Sequence, residues 1–247
     1  MFLFNEKKCA DICLKNTNKY VFKAVNDLIS DFERVSTFGV KPKIVKNVTQ
    51  NCIIIEENTR TSAEPVADES YSITTENGNI VIRANGYLGT MWGIYTLSEK
   101  FLDVDPCYLF NDLAIVKKNA VELSEVDIAD KPDGFGFRGV FINDEDLLQG
   151  WKDGGGARLV GGGYYYVTVA KTVIEKVVET VLRLKLNLVI PATFIDLDNP
   201  PEKDLADAVA ERGIYLSQHH CEPLGVSSFT FENYCKKYGK TGRFSRS

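Results

Sequence analysis

Three short apolar runs stand in the second half of the chain, Gly139-Val140-Phe141-Ile142, Leu188-Val189-Ile190-Pro191-Ala192 and Ile214-Tyr215-Leu216-Ser217, and a helical pattern follows each. After the first, Val169, Val173, Ile174, Val177, Val178, Val181 and Leu182 trace one helix face, with Thr172 and Glu175 spaced as a capping box. After the second, Asn199-Pro200-Pro201-Glu202 has cap and first-turn chemistry, Leu205 and Val209 point inward and Gly213 is the stop. A third helix is expected between Phe229 and Tyr238. Strand and helix in strict alternation predict parallel β/α units, because a parallel neighbour can be reached only by a crossover. A closed (β/α)8 barrel takes about 250 residues and eight units. The stretch therefore predicts about the first three units of a TIM-type barrel, which is an incomplete one.

The first half has another style. Val21, Val25, Leu28, Ile29, Phe32 and Val35 recur at helical spacing, with strands expected at Ala10–Leu14, Lys43–Val45 and Cys52–Ile55. In YSITTENGNIVIRANG, Asn77-Gly78 separates two alternating runs and supplies the positive φ angles of a tight hairpin. Leu88, Met91, Trp92, Tyr95 and Leu102 then mark a helix face that Asp105-Pro106 closes. The fold class expected is α/β: a small domain over residues 1–125, then the partial barrel over 126–247, with the boundary in the polar stretch Lys117–Asp133.

Charge and composition narrow the function. With 29 Lys+Arg against 34 Asp+Glu, net −5, and no dense basic block, nucleic acid and anionic membrane are not expected as partners. The start MFLFNEKKCADICL lacks the ~7–15-residue apolar core of a signal peptide. No stretch reaches the ~18 apolar residues of a membrane span, so a cytoplasmic location is expected. Six scattered cysteines without a C-x-x-C pair, and two adjacent histidines, do not have zinc-site spacing, so reduced thiols and no metal or cofactor are expected.

In parallel β/α folds the site gathers at the C-terminal ends of the strands. That rule selects Asn143, Asp144, Glu145 and Asp146 after the first strand, Thr193 to Asp198 after the second, and His219, His220, Cys221 and Glu222 after the third. Carboxylates, an amide and imidazoles at one mouth suit sugar processing, where hydroxyls want acceptors and glycosidic cleavage wants an acid and a base. Any single carboxylate after a strand serves equally well as a helix cap. The triplets Gly154–Gly156 and Gly161–Gly163 are not followed by Gly-Lys-Ser/Thr and so do not read as a phosphate loop. A mobile loop over the mouth is expected instead, with Trp151 and Tyr164-Tyr165-Tyr166 offering faces for sugar stacking.

The runs FRGVFINDED, RLKLNLVIPATF, DNPPEKDLADAVAERGIYLSQHHCEPLG and FTFENYCKKYG resemble the start of the catalytic barrel of glycoside hydrolase family 115, the xylan α-1,2-glucuronidases. NIVIRANGYLGTMWGIYTLSEKFLDVDP is similar to the small α/β domain that precedes the barrel in that family and in hexosaminidase-like enzymes. The resemblance implies a metal-free inverting hydrolase that removes 4-O-methyl-glucuronic acid from xylan or xylo-oligosaccharides. Its acid and base would stand about 6.5–9.5 Å apart with water between them. It favours Asp144, then Glu145, as catalytic carboxylates, with His220 and Glu222 as sugar contacts; Asn143, Asp146, Trp151 and His219, placed at the strand ends or in the loop, are the further substrate-binding candidates. The family continues through five more barrel units, so the chain is expected to be a truncated fragment, inactive alone and self-associating through its open sheet. A non-catalytic carbohydrate-binding module and a decayed remnant are the alternatives.

Overall fold

The computed structural model of the 247-residue chain describes residues 1–58, 69–132, 135–143, 148–151, 154–159, 166–219, 228 and 230–241. It divides into two units, Met1–Gly136 with Leu182–Lys185, and Phe137–Val181 with Leu186–Ser247. The division falls further along the chain than the expected 125/126 boundary. The reason is pairing: Asp127–Asp130 forms a strand that joins the first unit's sheet.

In the first unit, β1 (Phe2–Phe4), β2 (Asp11–Lys15), α1 (Val21–Val35), β3 (Ile44–Val45), β4 (Cys52–Asn58), β5 (Tyr71–Glu76), β6 (Asn79–Asn85), α2 (Gly86–Leu97), β7 (Val121–Glu122) and β8 (Asp127–Asp130) follow in chain order. The main sheet runs β3-β2-β4-β6-β5-β8. Its first four strands are parallel, and β5 is antiparallel to both its neighbours. The β5–β6 hairpin turns on Asn77 and Gly78 at φ 50° and 76°, the left-handed pair that such a turn requires. Ile53, Ile55, Ile73, Ile80 and Ile82 are fully buried in the sheet, while Cys13, Cys52, Ile54 and Val81 form a separate buried cluster that Val45 covers. These two cysteines thus act as small apolar side chains.

Helix α2 was expected to bury one face, yet every residue from Leu88 to Leu97 is buried. Glycine makes this possible. A Cβ on Gly89 would stand 2.8 Å from the carbonyl oxygens of both Glu69 and Ser70, and one on Gly93 would stand 2.6 Å from Ile82 Cγ2. In an exposed helix, Gly→Ala would stabilise by ~1 kcal/mol. Here Gly89→Ala is expected to destabilise by about 1–3 kcal/mol, because backbone oxygens cannot rotate away. Urea unfolding reads the sign, and a gain in stability would refute the close approach.

In the second unit, β9 (Gly139–Phe141), α3 (Lys171–Arg183), β10 (Leu188–Ile190), α4 (Pro200–Ala210), β11 (Tyr215–Leu216) and α5 (Phe231–Lys237) follow in order. The last two residues of α3, Leu182 and Arg183, are counted with the first unit. The sheet is parallel, ordered β11-β10-β9. This is the expected run of three β/α units, and no closed barrel forms among the described residues. The first two runs were expected to be buried strands. Only the middle strand centres on a buried residue, Val189, and the residues of β9 and β11 are half-buried or exposed because these strands are the outer ones. Thr172 lies inside α3, so it does not cap the helix.

Candidate active-site mouth

The second unit's strands are pinned at their N-terminal end by Asn187, fully buried, whose side-chain oxygen accepts from the Arg138 N–H at 2.8 Å. Its backbone carbonyl accepts from Tyr215 N–H at 2.7 Å. With the strands in register, their C-terminal ends come level. The Ile142 N–H reaches the Ile190 carbonyl at 2.8 Å, and the Ser217 N–H reaches that of Val189 at 3.2 Å.

At that end the structure brings together residues from all three strands. Thr193 donates its hydroxyl to Asn143 Oδ1 at 3.0 Å. The His219 ring stacks on Phe141 with centroids 4.4 Å apart and planes 12° from parallel. A hydroxyl–amide pair beside an aromatic–imidazole stack gives directional acceptors and a flat face, the two contacts a sugar ring uses. Trp151, 40% exposed, has Lys176 Nζ 5.9 Å from its ring centroid, a contact with α3. Tyr166 is exposed. Asp144, Glu145, Asp146, His220, Cys221, Glu222, Tyr164 and Tyr165 lie outside the described residues. Among those described, no cluster of His, Cys, Asp and Glu is placed to hold a metal ion, and no helix is long and apolar enough to cross a membrane.

One group was not foreseen. Arg158 and Glu202 form an ion pair at 3.4 Å with side chains 0% and 1% exposed, and the Arg158 guanidinium lies 4.6 Å from the Phe194 ring centroid. Glu202 also accepts from Asn199 Nδ2 at 2.7 Å and from the Asp196 N–H at 3.3 Å. Burial pushes its carboxyl up, while the Asn199 amide and the Arg158 guanidinium pull it back. Glu202 reads from sequence as first-turn chemistry of a helix, and an isolated arginine beside a glycine triplet carries no signal of its own.

The same region alters the picture of a loose lid. Ala157 pairs antiparallel with Val167, and the Thr168 N–H donates to the Gly156 carbonyl at 2.9 Å. A Cβ on Gly155 would stand 1.7 Å from the Thr168 carbonyl oxygen, and one on Gly156 would stand 2.2 Å from Pro201 Cγ. The first triplet is therefore glycine for close packing. The second, Gly161–Gly163, lies outside the described residues.

Residues 130–246 match the model of Glycosyl hydrolase family 115. Among solved structures, a family GH115 4-O-methyl-alpha-glucuronidase with specificity for decorated arabinogalactans superposes at TM-score 0.70 and 22% identity, over 90% of this chain and 30% of its own. The chitobiase of Flavobacterium johnsoniae follows at TM-score 0.55 and 17% identity, over 86% of this chain and 31% of its own. A GH138 enzyme targeting pectin rhamnogalacturonan II reaches TM-score 0.51 at 13% identity, over 94% and 26%. The chain thus spans about a third of the length of these enzymes. No curated protein matches. These structures share the fold of the chain, and its residues 130–246 are similar to glycosyl hydrolase family 115.

Proposed function

We propose that the second unit forms part of the substrate mouth of an α-glucuronidase-like hydrolase acting on polysaccharides that carry 4-O-methyl-glucuronic acid. The observation that carries this reading is the convergence of Asn143, Thr193, Phe141 and His219 at the C-terminal ends of the parallel strands, inside the stretch that matches family 115. Asp144 takes the role of catalytic carboxylate, with Glu145 beside it. The inverting partner, about 6.5–9.5 Å away across a water, comes from another strand end. Asp146, His220 and Glu222 complete the polar contacts to sugar hydroxyls, and Trp151 a stacking face. Xylan or xylo-oligosaccharide is one backbone for the acidic branch, and decorated arabinogalactan, the specificity of the family 115 structure above, is the second.

The 247-residue chain alone is expected to bind the branch sugar without cleaving its bond, since three strand ends do not supply two opposed carboxylates around a water. Glucuronoxylan, aldouronic oligosaccharides and glucuronidated arabinogalactan should each release no free uronic acid when incubated with it. Binding of 4-O-methyl-glucuronic acid should weaken about tenfold in His219→Ala, the weight of one ~1.4 kcal/mol contact. Release of free acid, abolished by Asp144→Asn, would overturn the expected inactivity. Absence of binding to all three glycans would overturn the mouth itself. Binding to neutral xylan with no preference for the acidic branch would favour a general carbohydrate-binding module. The outer strands β9 and β11 each pair on one side only among the described strands. Self-association through these edges is therefore expected in light scattering.

A further inference from the structure

The first unit carries a cavity that the mouth does not use. It measures about 870 Å3 and lies at the opposite, N-terminal ends of that unit's parallel strands, where Asp11 opens β2 and Asn51 directly precedes β4. Its charge is opposite to that of the whole chain. Lys7, Lys8, Lys41 and Lys43 line it against the single carboxylate of Asp11, in a protein with 29 basic and 34 acidic residues. A surface drawn at random from such a chain would be slightly acidic, so a four-to-one excess of ammonium groups calls for a ligand or a cost.

The walls are built before any ligand arrives. Asn5 Oδ1 accepts from the N–H groups of Lys7 and Lys8 at 3.0 and 2.9 Å, the Asn5 N–H donates to the Lys8 carbonyl at 2.9 Å, and Phe4 pairs with Cys9. This turn fixes the Lys7-Lys8 backbone. Across the cavity the Asn51 side chain clasps Phe2 twice, accepting from its N–H at 2.9 Å and donating to its carbonyl at 2.8 Å. Asp11 Oδ1 accepts from the Lys43 N–H at 3.2 Å, so part of the one negative charge serves the backbone. Lys41 reaches Glu33 at 3.3 Å and Lys7 reaches Glu6 at 3.6 Å. Both pairs are exposed and so are easily exchanged for another anion. The Cys9 thiol is pushed up to about 12, by burial first and Asp11 second, so it stays neutral and adds no negative charge.

Size and donor type identify the ligand class. The volume is in the range of organic-ligand pockets and far exceeds one inorganic anion. No arginine lines the cavity among the described residues, so the forked donors that recognise phosphate bidentately are missing, and Phe2 is the one aromatic, too few for stacked bases. Lysines spread around a wide opening instead match single charges spaced along a flexible ligand.

We propose that this cavity binds an acidic oligosaccharide through carboxylates set along its chain, a second glycan site separate from the mouth. The choice of a glycan rests on the function proposed above, and the site itself does not. A linear oligogalacturonate titrated calorimetrically into the whole chain is the probe, with a neutral xylo-oligosaccharide and inorganic phosphate in parallel. Only the acidic glycan should bind, more weakly as salt rises to about 0.15 M. Lys8→Glu combined with Lys43→Glu, both exposed, should weaken it by about tenfold or more. In the unaltered chain, slowed amide exchange should appear over residues 1–11 and 40–51. It should persist in His219→Ala, which separates failure of this site from failure of the mouth. Equal binding of the neutral glycan, displacement by equimolar phosphate, or unchanged affinity in the double variant would each overturn the proposal.

Discussion

Asp31→Ala is expected to remove about 3–5 kcal/mol from the stability of the first unit, the cost of leaving a buried charge without its counter-ion. Asp31 and Arg183, both in that unit, have side chains 0% and 2% exposed. Arg183 Nη2 donates to both carboxylate oxygens of Asp31 at 3.1 and 2.8 Å, Ser98 Oγ donates at 2.7 Å, and the guanidinium lies 4.9 Å from the rings of both Tyr95 and Tyr108. Burial pushes the Asp31 carboxyl up, and Arg183 and Ser98 draw it back. A guanidinium cannot escape by losing its proton, so the alanine variant must bury it without this carboxylate or unpack around it. Replacing both partners, Asp31→Leu with Arg183→Met, should recover most of the loss, since matched apolar groups often serve as well as a buried pair. The chain has two tryptophans, and Trp92 is fully buried in the first unit, so its fluorescence in a Trp151→Phe background follows that unit in urea. A loss below about 1 kcal/mol, the range of exposed pairs, would show that water reaches this one.

Nothing in the sequence announces that pair, and the reason is general. Periodicity reports local repeats, and Asp31 and Arg183 are 152 residues apart. What could be read locally was read. The Asn77-Gly78 hairpin needs two left-handed residues in succession, α1 shows six apolar residues at helical spacing, and Asn199-Pro200-Pro201 begins a helix where the structure begins one. Strands of two to four residues such as β1, β7 and β8 are too short to show alternation, so the sheet edge β8 went unseen and the unit boundary was placed early. The burial of α2 on all sides depended on Gly89 and Gly93 meeting the sheet, a tertiary fact. At the strand ends, the strand-end rule had selected Asn143, Thr193 and His219. Their pairing across strands, and the use of Phe141 as a platform, required the register of β9 on β10.

The strand-end rule also passed over what holds the mouth in place, and Glu202→Ala tests that support. Glu202 ties three things that sequence leaves separate: the Asp196 N–H in the loop after β10, the cap residue Asn199, and Arg158 in the glycine-rich segment. Asn199 in turn donates to the Ala157 carbonyl at 2.9 Å, so the same few atoms join the start of α4 to that segment. Removing the carboxylate takes the ion pair from the Arg158 guanidinium, 0% exposed beside Phe194, and the acceptor from the Asp196 N–H. The expected loss is about 3–5 kcal/mol in the second unit, read by faster amide exchange at Val189 and Ile190. Glu202→Gln keeps one acceptor oxygen, enough for either the Asn199 amide or the Asp196 N–H but not both, and loses the charge, so it should fall between alanine and the unaltered chain. Thr193, three residues before Asp196, holds Asn143, so affinity for the branch sugar should fall in the same order, alanine below glutamine. Stability lost without any change in sugar affinity would show that the brace serves the fold alone, and equal exchange rates in all three proteins would show that the buried pair holds nothing.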